Sequence, residues 1–462
     1  KWDDGKYWEV STFIDLIKMP RRFEIALLCA VGTLLCYADR TNIGVAIPAF
    51  EMDHALQGQV LAAFFYGYIC TQYFGAWLAS KLGPKNVLLG GVAVWSLFDL
   101  LTVFCVNSPV LLWCTRAAMG LGEGILFPCM HNIASGWFPV HERSRLNSFI
   151  SSGMDLGTIL SMFVAPFWMQ YYGYQAIFYF FGCLSTLWLV VFFWRGSSRP
   201  ETDRYINSHE ADYIIETRNT AASKEFLTPH SSRSTTPPIL PWKAYFSSKA
   251  LWAIYCSHFT YNYGWYVLLG WTPQYLRLVL HLELEASGVA AAVPYICGYL
   301  GILFWGWLSD YLLACDIRLV AVRKFTNNVS FFGSAVCLYL LRYASSTFQA
   351  ITMLCITLFL SRAAVSGYWI NMIDIAPRHA GHVMGISNTM ATLPGIIGNI
   401  LTGEILYRSG DWNLVFEITS IILILGGLVF QLWAQDHDVF ANTQQFSNED
   451  ILDENSPLLS KQ

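Results

Sequence analysis

The chain has 462 residues, of which 55% are hydrophobic and 13% charged, with a formal net charge of −4. Soluble globular proteins carry roughly a quarter of charged residues, so this composition excludes that class and indicates a polytopic membrane protein. The slight acidity indicates no substrate class, because loops and tails dominate the net charge of a membrane protein.

Apolar runs of bilayer length, roughly 20 residues each, follow the basic cluster formed by Lys18, Arg21 and Arg22. Several of these runs contain glycine or proline, which favours bent helices that line a cavity over plain anchors. We count twelve spans, at residues 24–50, 57–79, 86–105, 109–137, 146–172, 175–195, 250–279, 287–313, 324–344, 348–375, 380–408 and 412–434.

Lysine and arginine concentrate in alternate loops, which predicts that both termini are cytoplasmic. A polar central segment, whose SSRSTTPP core is typical of a flexible linker, separates six spans from six. We therefore predict an all-α membrane protein with twelve transmembrane helices in two six-helix halves. Its parts are an N-terminal segment (1–23), the first half (24–195), a cytoplasmic central loop (196–249), the second half (250–434) and a cytoplasmic tail (435–462).

The two halves share a sequence motif after their second spans, AWLASKLGPK at residues 76–85 and GWLSDYLL at residues 306–313. An offset of about half the chain is expected for duplicated halves. The motif resembles the GxxxDRxGxx loop signature of the major facilitator superfamily. Ser80 stands where that family prefers aspartate, and Tyr311 replaces its basic residue. The resemblance implies the major facilitator fold.

Four ionisable residues lie inside the predicted spans, Asp39 and Arg40 in the first and Arg116 and Glu123 in the fourth. The last two are seven residues apart, so they share one helix face. A charge at the bilayer centre costs about 2.5–3.5 kcal/mol, and such groups therefore line a wet cavity or form ion pairs. Arginine binds carboxylate or phosphate with a planar fork of donors, and the two acids are candidate proton carriers. The alternative is a purely structural ion-pair staple between the two spans.

Further polar residues are secondary candidates. His131 is interpreted as a proton relay or a structural histidine, and Asp155 as a weaker coupling residue. Arg362 is a second anion contact or a helix-packing residue. Asp99 is interpreted as structural, near a span end or on the bundle exterior.

Two aromatic stretches, FFYGY at residues 64–68 and HFTYNYGWY at residues 258–266, mix rings with hydroxyl and amide groups, as a site for a small polar ligand needs. Membrane-interface anchoring is the alternative for such residues. We predict ligand contacts by Tyr261 and Asn262, with Tyr66 and Asn388 completing the substrate-binding set. The chain has no nucleophile-base pair, metal-ligand spacing or CxxC pair, so we expect no enzyme activity, no cofactor, no metal and no nucleic-acid partner.

The stretch RAAMGLGEGILFPCMHNIASGWFPVHERSRL, at residues 116–146, resembles helix 4 and the following loop of the anion:cation symporter family. DRTNIGVA, HFTYN and INMIDIAPRHAGHVMGISNT extend the resemblance over most of the membrane domain. The resemblance implies that Arg40 and Arg116 bind or gate substrate. It also implies that Glu123 is the helix 4 protonation site and Asp39 the helix 1 acid of some branches. Tyr261 stands where the vesicular glutamate branch has an arginine.

The tail sequence DENSPLLSKQ contains Glu454, Leu458 and Leu459 in the spacing of an acidic dileucine signal, which clathrin adaptors read. It predicts an endosomal, lysosomal or vacuolar membrane, with the plasma membrane as the alternative.

Taken together, these features predict a proton-coupled secondary transporter of small anions, namely organic carboxylates such as acidic sugars or amino acids, working by alternating access. One alternative is an inorganic phosphate transporter coupled to protons or sodium. The other is a non-transporting sensor or scaffold with the same fold.

Overall fold

The computed structural model describes residues 19–226, 242–376 and 379–440. In this part of the chain all regular structure is helical, and twelve helices are long enough to cross a bilayer. They are α1 (Arg21–Ala46), α2 (His54–Leu82), α3 (Pro84–Cys105), α4 (Pro109–Trp137), α5 (Val140–Tyr172), α6 (Tyr174–Arg195), α7 (Lys249–Leu278), α8 (Leu284–Ala314), α9 (residues 319–340), α10 (Thr347–Ile375), α11 (Ala380–Ser409) and α12 (Trp412–Trp433).

Seven of the twelve helices, α3 to α6, α8, α10 and α12, are apolar enough to span a membrane by length and composition alone. The other five carry more polar residues, which is expected of helices that face a cavity rather than lipid. The chain reverses direction through single glycines between α2 and α3 and between α5 and α6. Gly83 and Gly173 have φ values of 83° and 82°, which glycine adopts without steric cost. The predicted twelve-helix, two-half architecture is confirmed.

Within the first half, glycines bring helix backbones into direct contact. A Cβ on Gly120 of α4 would overlap the Phe64 carbonyl of α2, and a Cβ on Gly67 would overlap the Ala117 carbonyl. Small residues at such crossings allow the close van der Waals packing that holds membrane helices together. The contact places Arg116, one turn before Gly120, deep between α2 and α4.

The two halves meet along α2 and α11, α5 and α8, and α1 and α7. We call the end of the bundle with the start of α1 the linker side and the opposite end the far side. At the far side a Cβ on Gly44 would lie 3.2 Å from the Gly270 carbonyl oxygen. Nearby, the Gln274 side chain donates a hydrogen bond to Gln57 at 2.6 Å. These contacts close the far side of the molecule.

The central segment contains a helix before its SSRSTTPP core. Residues Ser208–Phe226 form a linker helix, and Glu210 on it accepts hydrogen bonds from the backbone N–H groups of Arg21 and Arg22, at 2.9 and 3.1 Å. Glu210 therefore caps the unpaired first turn of α1, which explains why a polar segment is ordered here. The SSRSTTPP core and the tail residues Glu454, Leu458 and Leu459 lie outside the described residues.

Candidate functional site

Helix α4 is interrupted at its middle. Its first segment is Pro109–Glu123 and its second is Leu126–Trp137. Pro128 has no N–H to donate to the carbonyl of Gly124, four residues earlier, so the series of backbone hydrogen bonds is interrupted here. A Cβ on Gly124 would overlap the Thr71 hydroxyl, so only glycine allows this approach to α2. The break places the Glu123 carboxyl at the centre of the first half.

Arg40 and Glu123 form a buried ion pair between α1 and α4. The Nε and Nη2 atoms of Arg40 lie 3.0 and 2.8 Å from the same oxygen, Oε2 of Glu123, and the Cys36 thiol donates to it at 3.1 Å. The guanidinium also lies against three aromatic rings, 4.6–4.8 Å from their centroids, those of Tyr37, Phe64 and Tyr68. The Arg40 charge is therefore neutralised within the protein.

Arg116 is buried without such a partner. Its side chain is 1% exposed, and among the described residues it forms no ion pair, while its Nη1 contacts the Met119 sulfur at 2.9 Å. Arg40 and Arg116 line one cavity between the two halves, together with Phe64 of α2, Tyr266 of α7 and Asn399 of α11. The arrangement leaves one fixed positive charge available to this cavity.

Asp39 takes no part in the Arg40–Glu123 pair, although Glu123 is one of its electrostatic neighbours. It is 0% exposed and accepts a hydrogen bond from Ser185 of α6 at 2.6 Å. Asp99 of α3 is also 0% exposed and accepts from Asn42, one turn after Asp39, at 3.3 Å. The prediction that Asp99 lies near a span end or on the bundle exterior is therefore wrong. Asp99 lies three residues before Thr102 and four after Trp95, so the three share one face of α3. This spacing of polar groups could have predicted that Asp99 is buried.

Asp155 and Arg362, predicted separately as secondary candidates, form one ion pair across the two halves. Both side chains are buried, and the guanidinium lies 4.1 Å from the ring centroid of Trp265. The pair connects α5 of the first half to α10 of the second, at the middle of both helices. Sequence spacing could not reveal it, because the partners are 207 residues apart.

The predicted contacts of the second half lie beside the cavity rather than at the arginines. Asn262 donates to the Ala391 carbonyl of α11 at 2.9 Å and to the Tyr266 hydroxyl at 3.4 Å, so it orients a cavity-lining ring. Tyr261 lines a second cavity, inside the second half, with Ser330 and Thr357. Asn388 is half-buried on α11, one turn before Ala391.

Two predicted residues lie away from the cluster. Tyr66 is 40% exposed and packs against Trp113, so it lies away from the cavity that the two arginines line. Phe64 and Tyr68, four residues apart, share the inward face of α2, and Tyr66 between them necessarily points outward. His131 is exposed in the second segment of α4, beyond the break that follows Glu123, and the structure does not bring it to that carboxyl.

Comparisons with known proteins agree with this fold. The family model described as Major Facilitator Superfamily matches residues 29–398 and 287–449. Among solved structures, a bacterial homolog of the human lysosomal transporter Spinster superposes with a TM-score of 0.70 at 14% identity, covering 90% of this chain and 97% of that one. A D-xylose-proton symporter gives a TM-score of 0.67 at 15% identity, covering 90% and 98%.

Curated relatives are closer in sequence. Human sialin is 31% identical over 457 residues, covering 90% of this chain and 89% of sialin. From Arabidopsis thaliana, the chloroplastic sodium-dependent phosphate transport protein 1 is 34% identical, covering 90% of this chain and 80% of that protein. The chloroplastic ascorbate transporter of the same plant is 33% identical, covering 90% and 75%. The chain is thus a multi-pass membrane transporter of anions rather than an enzyme, and it belongs to the anion:cation symporter family of the major facilitator superfamily.

Proposed function

We propose that this protein carries small organic carboxylates, such as acidic sugars or amino acids, across a membrane together with protons. Arg116 holds the carboxylate, Arg40 assists it, and Tyr266, oriented by Asn262, shapes the cavity opposite. Glu123 and Asp39 bind and release the coupling proton.

The unpaired state of Arg116 is the observation that carries this proposal. A buried cation without a counter-charge is costly, because the low-dielectric interior replaces its hydration poorly. Arg116 lines the cavity between the halves and forms no ion pair within the described residues. A substrate carboxylate supplies the missing charge and can accept two parallel hydrogen bonds from the guanidinium fork. Binding is then strongest for an anion.

The Arg40–Glu123 pair supports proton coupling. Protonation of Glu123 removes the negative charge that holds Arg40, whose Nε and Nη2 atoms otherwise contact one glutamate oxygen. Arg40 then becomes a second cation facing the cavity. Proton binding thereby raises the affinity for an anion, and a bound anion favours proton binding in turn, because such coupling is reciprocal.

Alternating access requires the far side to open. The Gln57–Gln274 hydrogen bond and the Gly44–Gly270 contact must then separate. The Asp155–Arg362 pair joins the halves at mid-membrane and must shift or break in the same movement. Proton and anion bias this equilibrium only through different affinities for its two states.

Uptake into proteoliposomes tests the substrate class. With an inward proton gradient, we expect the wild-type protein to accumulate labelled glucuronate or glutamate and to prefer at least one of them to phosphate. The same panel with a sodium gradient at equal pH is the control for the coupling ion. Accumulation of phosphate alone, or accumulation that follows only the sodium gradient, would overturn the proposal.

We also propose residence in an acidic compartment of the endosomal, lysosomal or vacuolar system, with both termini cytoplasmic. The acidic dileucine sequence of the tail supports this location. Replacing Leu458 and Leu459 by alanine is expected to move a fluorescently tagged protein to the plasma membrane, as seen by microscopy, whereas Ser460→Ala is not. An unchanged distribution of the double variant would contradict the sorting role.

A further inference from the structure

A buried carboxyl pair in the first half lies outside the substrate cavity and outside the Arg40–Glu123 pair. It is formed by Asp39 of α1 and Asp99 of α3, both 0% exposed. Two contacts show that the carboxyls are close. Asn42, one turn after Asp39, donates to Asp99 at 3.3 Å. Ser185 donates to Asp39 at 2.6 Å, and a Cβ on Gly182, one turn before Ser185, would lie 3.4 Å from the other Asp99 oxygen.

The donors around this pair are too few for two ionised carboxylates. Ser185 satisfies one oxygen of Asp39, and Asn42 satisfies one oxygen of Asp99. Within the described residues, Oδ1 of Asp39 and Oδ2 of Asp99 accept no hydrogen bond. The indole N–H of Trp95 is the further donor near Asp39, and within this part of the chain it too forms no hydrogen bond. Ionising two neighbouring carboxyls in a dry site has a high free-energy cost. A single shared proton removes one negative charge and adds an O–H donor.

The charges that face the pair come from α1 and α4. Arg116 and Glu123 of α4 are electrostatic neighbours of Asp99, and Glu123 is also a neighbour of Asp39. Arg40, although next to Asp39 in sequence, is engaged by Glu123. From α6, within the described ranges, the pair receives the Ser185 hydroxyl. The cation that responds to the pair is therefore Arg116, for which Asp99 and Glu123 are the leading acidic neighbours.

We propose that Asp99 is a positioning residue for transport: it shares one proton with Asp39, and loss of this proton lets Asp99 compete with the substrate carboxylate for Arg116. The inference rests on the proposed function. Asp39, Asp99 and Glu123 are buried around two arginines, Arg40 and Arg116, while the buried Asp155 is paired with Arg362 of the second half. With all five groups of this cluster ionised, it carries an excess negative charge before any anion enters. One proton on the Asp39–Asp99 pair removes that excess and leaves Arg116 to the substrate.

The test measures KM for labelled glucuronate in proteoliposome exchange with equal pH on both sides, so that no proton gradient drives transport. Glucuronate remains ionised between about pH 5.5 and about pH 7.5, so changes in KM report on the protein. For the wild type we expect KM to rise by at least about tenfold over this range. The cause is a buried negative charge that appears near Arg116 and repels the substrate carboxylate. Glutamate replaces glucuronate as the probe if glucuronate is not transported.

In Asp99→Asn, the rise of KM with pH is expected to shrink to the part that Glu123 contributes, whereas Asp99→Glu restores the wild-type pH dependence. Thr102→Val, one turn further along the buried face of α3, is the packing control and is expected to retain the wild-type pH dependence. A purely structural role would reduce transport equally at both pH values. The wild-type pH dependence of KM in Asp99→Asn would overturn the inference.

A second variant covers the case in which Asp99→Asn does not fold. Asn42→Leu removes the donor that favours ionised Asp99 and leaves both carboxyls in place, so the pH midpoint of the KM change is expected to move upward. An unchanged midpoint would also overturn the inference. Failure of the proposed function is distinguishable, because then the wild type itself would not accumulate any carboxylate of the panel under a proton gradient.

Discussion

Arg116→Ala is expected to abolish saturable uptake of the transported carboxylate at concentrations near the wild-type KM. Removing one partner of a buried, hydrogen-bonded charge pair costs about 2–5 kcal/mol, which corresponds to about 30-fold to several-thousand-fold in apparent affinity. Arg116→Lys keeps the charge but loses the planar fork, so an intermediate affinity is expected. The KM of the wild type, Arg116→Ala and Arg116→Lys is measured from the concentration dependence of uptake into proteoliposomes.

The matched control is Arg408→Ala. Arg408 lies at the exposed end of α11 and pairs with Glu404 on the surface, and such pairs contribute little. We therefore expect wild-type uptake from this variant. Arg116→Ala with wild-type KM and maximal rate would contradict the assignment of Arg116 as the anion-binding residue.

Glu123→Gln is expected to uncouple transport from the proton gradient. When a monovalent anion crosses with one proton, no net charge moves, and a gradient of one pH unit sustains about tenfold accumulation. The amide of the variant keeps the shape of the side chain but binds no coupling proton. Accumulation of glucuronate should then fall to about the external concentration, while exchange of internal for external glucuronate continues, because exchange needs no net proton movement.

Glu404→Gln is the control for this variant, since Glu404 is a partly exposed carboxyl on α11 whose ion pair, within the described part of the chain, is with Arg408. Its accumulation should match the wild type. If Glu123→Gln still concentrates glucuronate about tenfold under the same gradient, Glu123 does not carry the coupling proton.

Some of the site could be predicted from local spacing. Arg116 and Glu123 are seven residues apart on one helix and share a face. Because a charge inside the membrane is costly, both are predicted to line a cavity or to form ion pairs. Helix periodicity also separates Tyr66 from its neighbours. Phe64 and Tyr68 are four residues apart and share one face of α2, so the residue between them points to another side. The FFYGY stretch therefore presents two different surfaces, and Tyr66 lies on the outer one.

Other parts of the site depended on contacts between distant segments. Asp99 had been interpreted as structural because its position along α3 says nothing about the neighbouring α1 and α6. Asp155 and Arg362 each looked like weak candidates, and only their packing across the halves shows that they neutralise one another. A residue's electrostatic role depends on which charges lie within a few ångströms, and that distance is unrelated to separation along the chain.

By itself the sequence determined the membrane class, the twelve helices and the division into two halves, because hydropathy and helix length are local properties that the bilayer imposes directly. It also identified Arg40, Arg116, Asp39 and Glu123 as the intramembrane charges. Only the tertiary structure decided which of them are paired: Arg40 is neutralised by Glu123, Arg116 has no ion-pair partner among the described residues, and Asp39 lies beside Asp99. Pairing depends on how α1, α3, α4 and α6 pack, and this packing is set by glycine contacts and buried polar groups that no single helix contains.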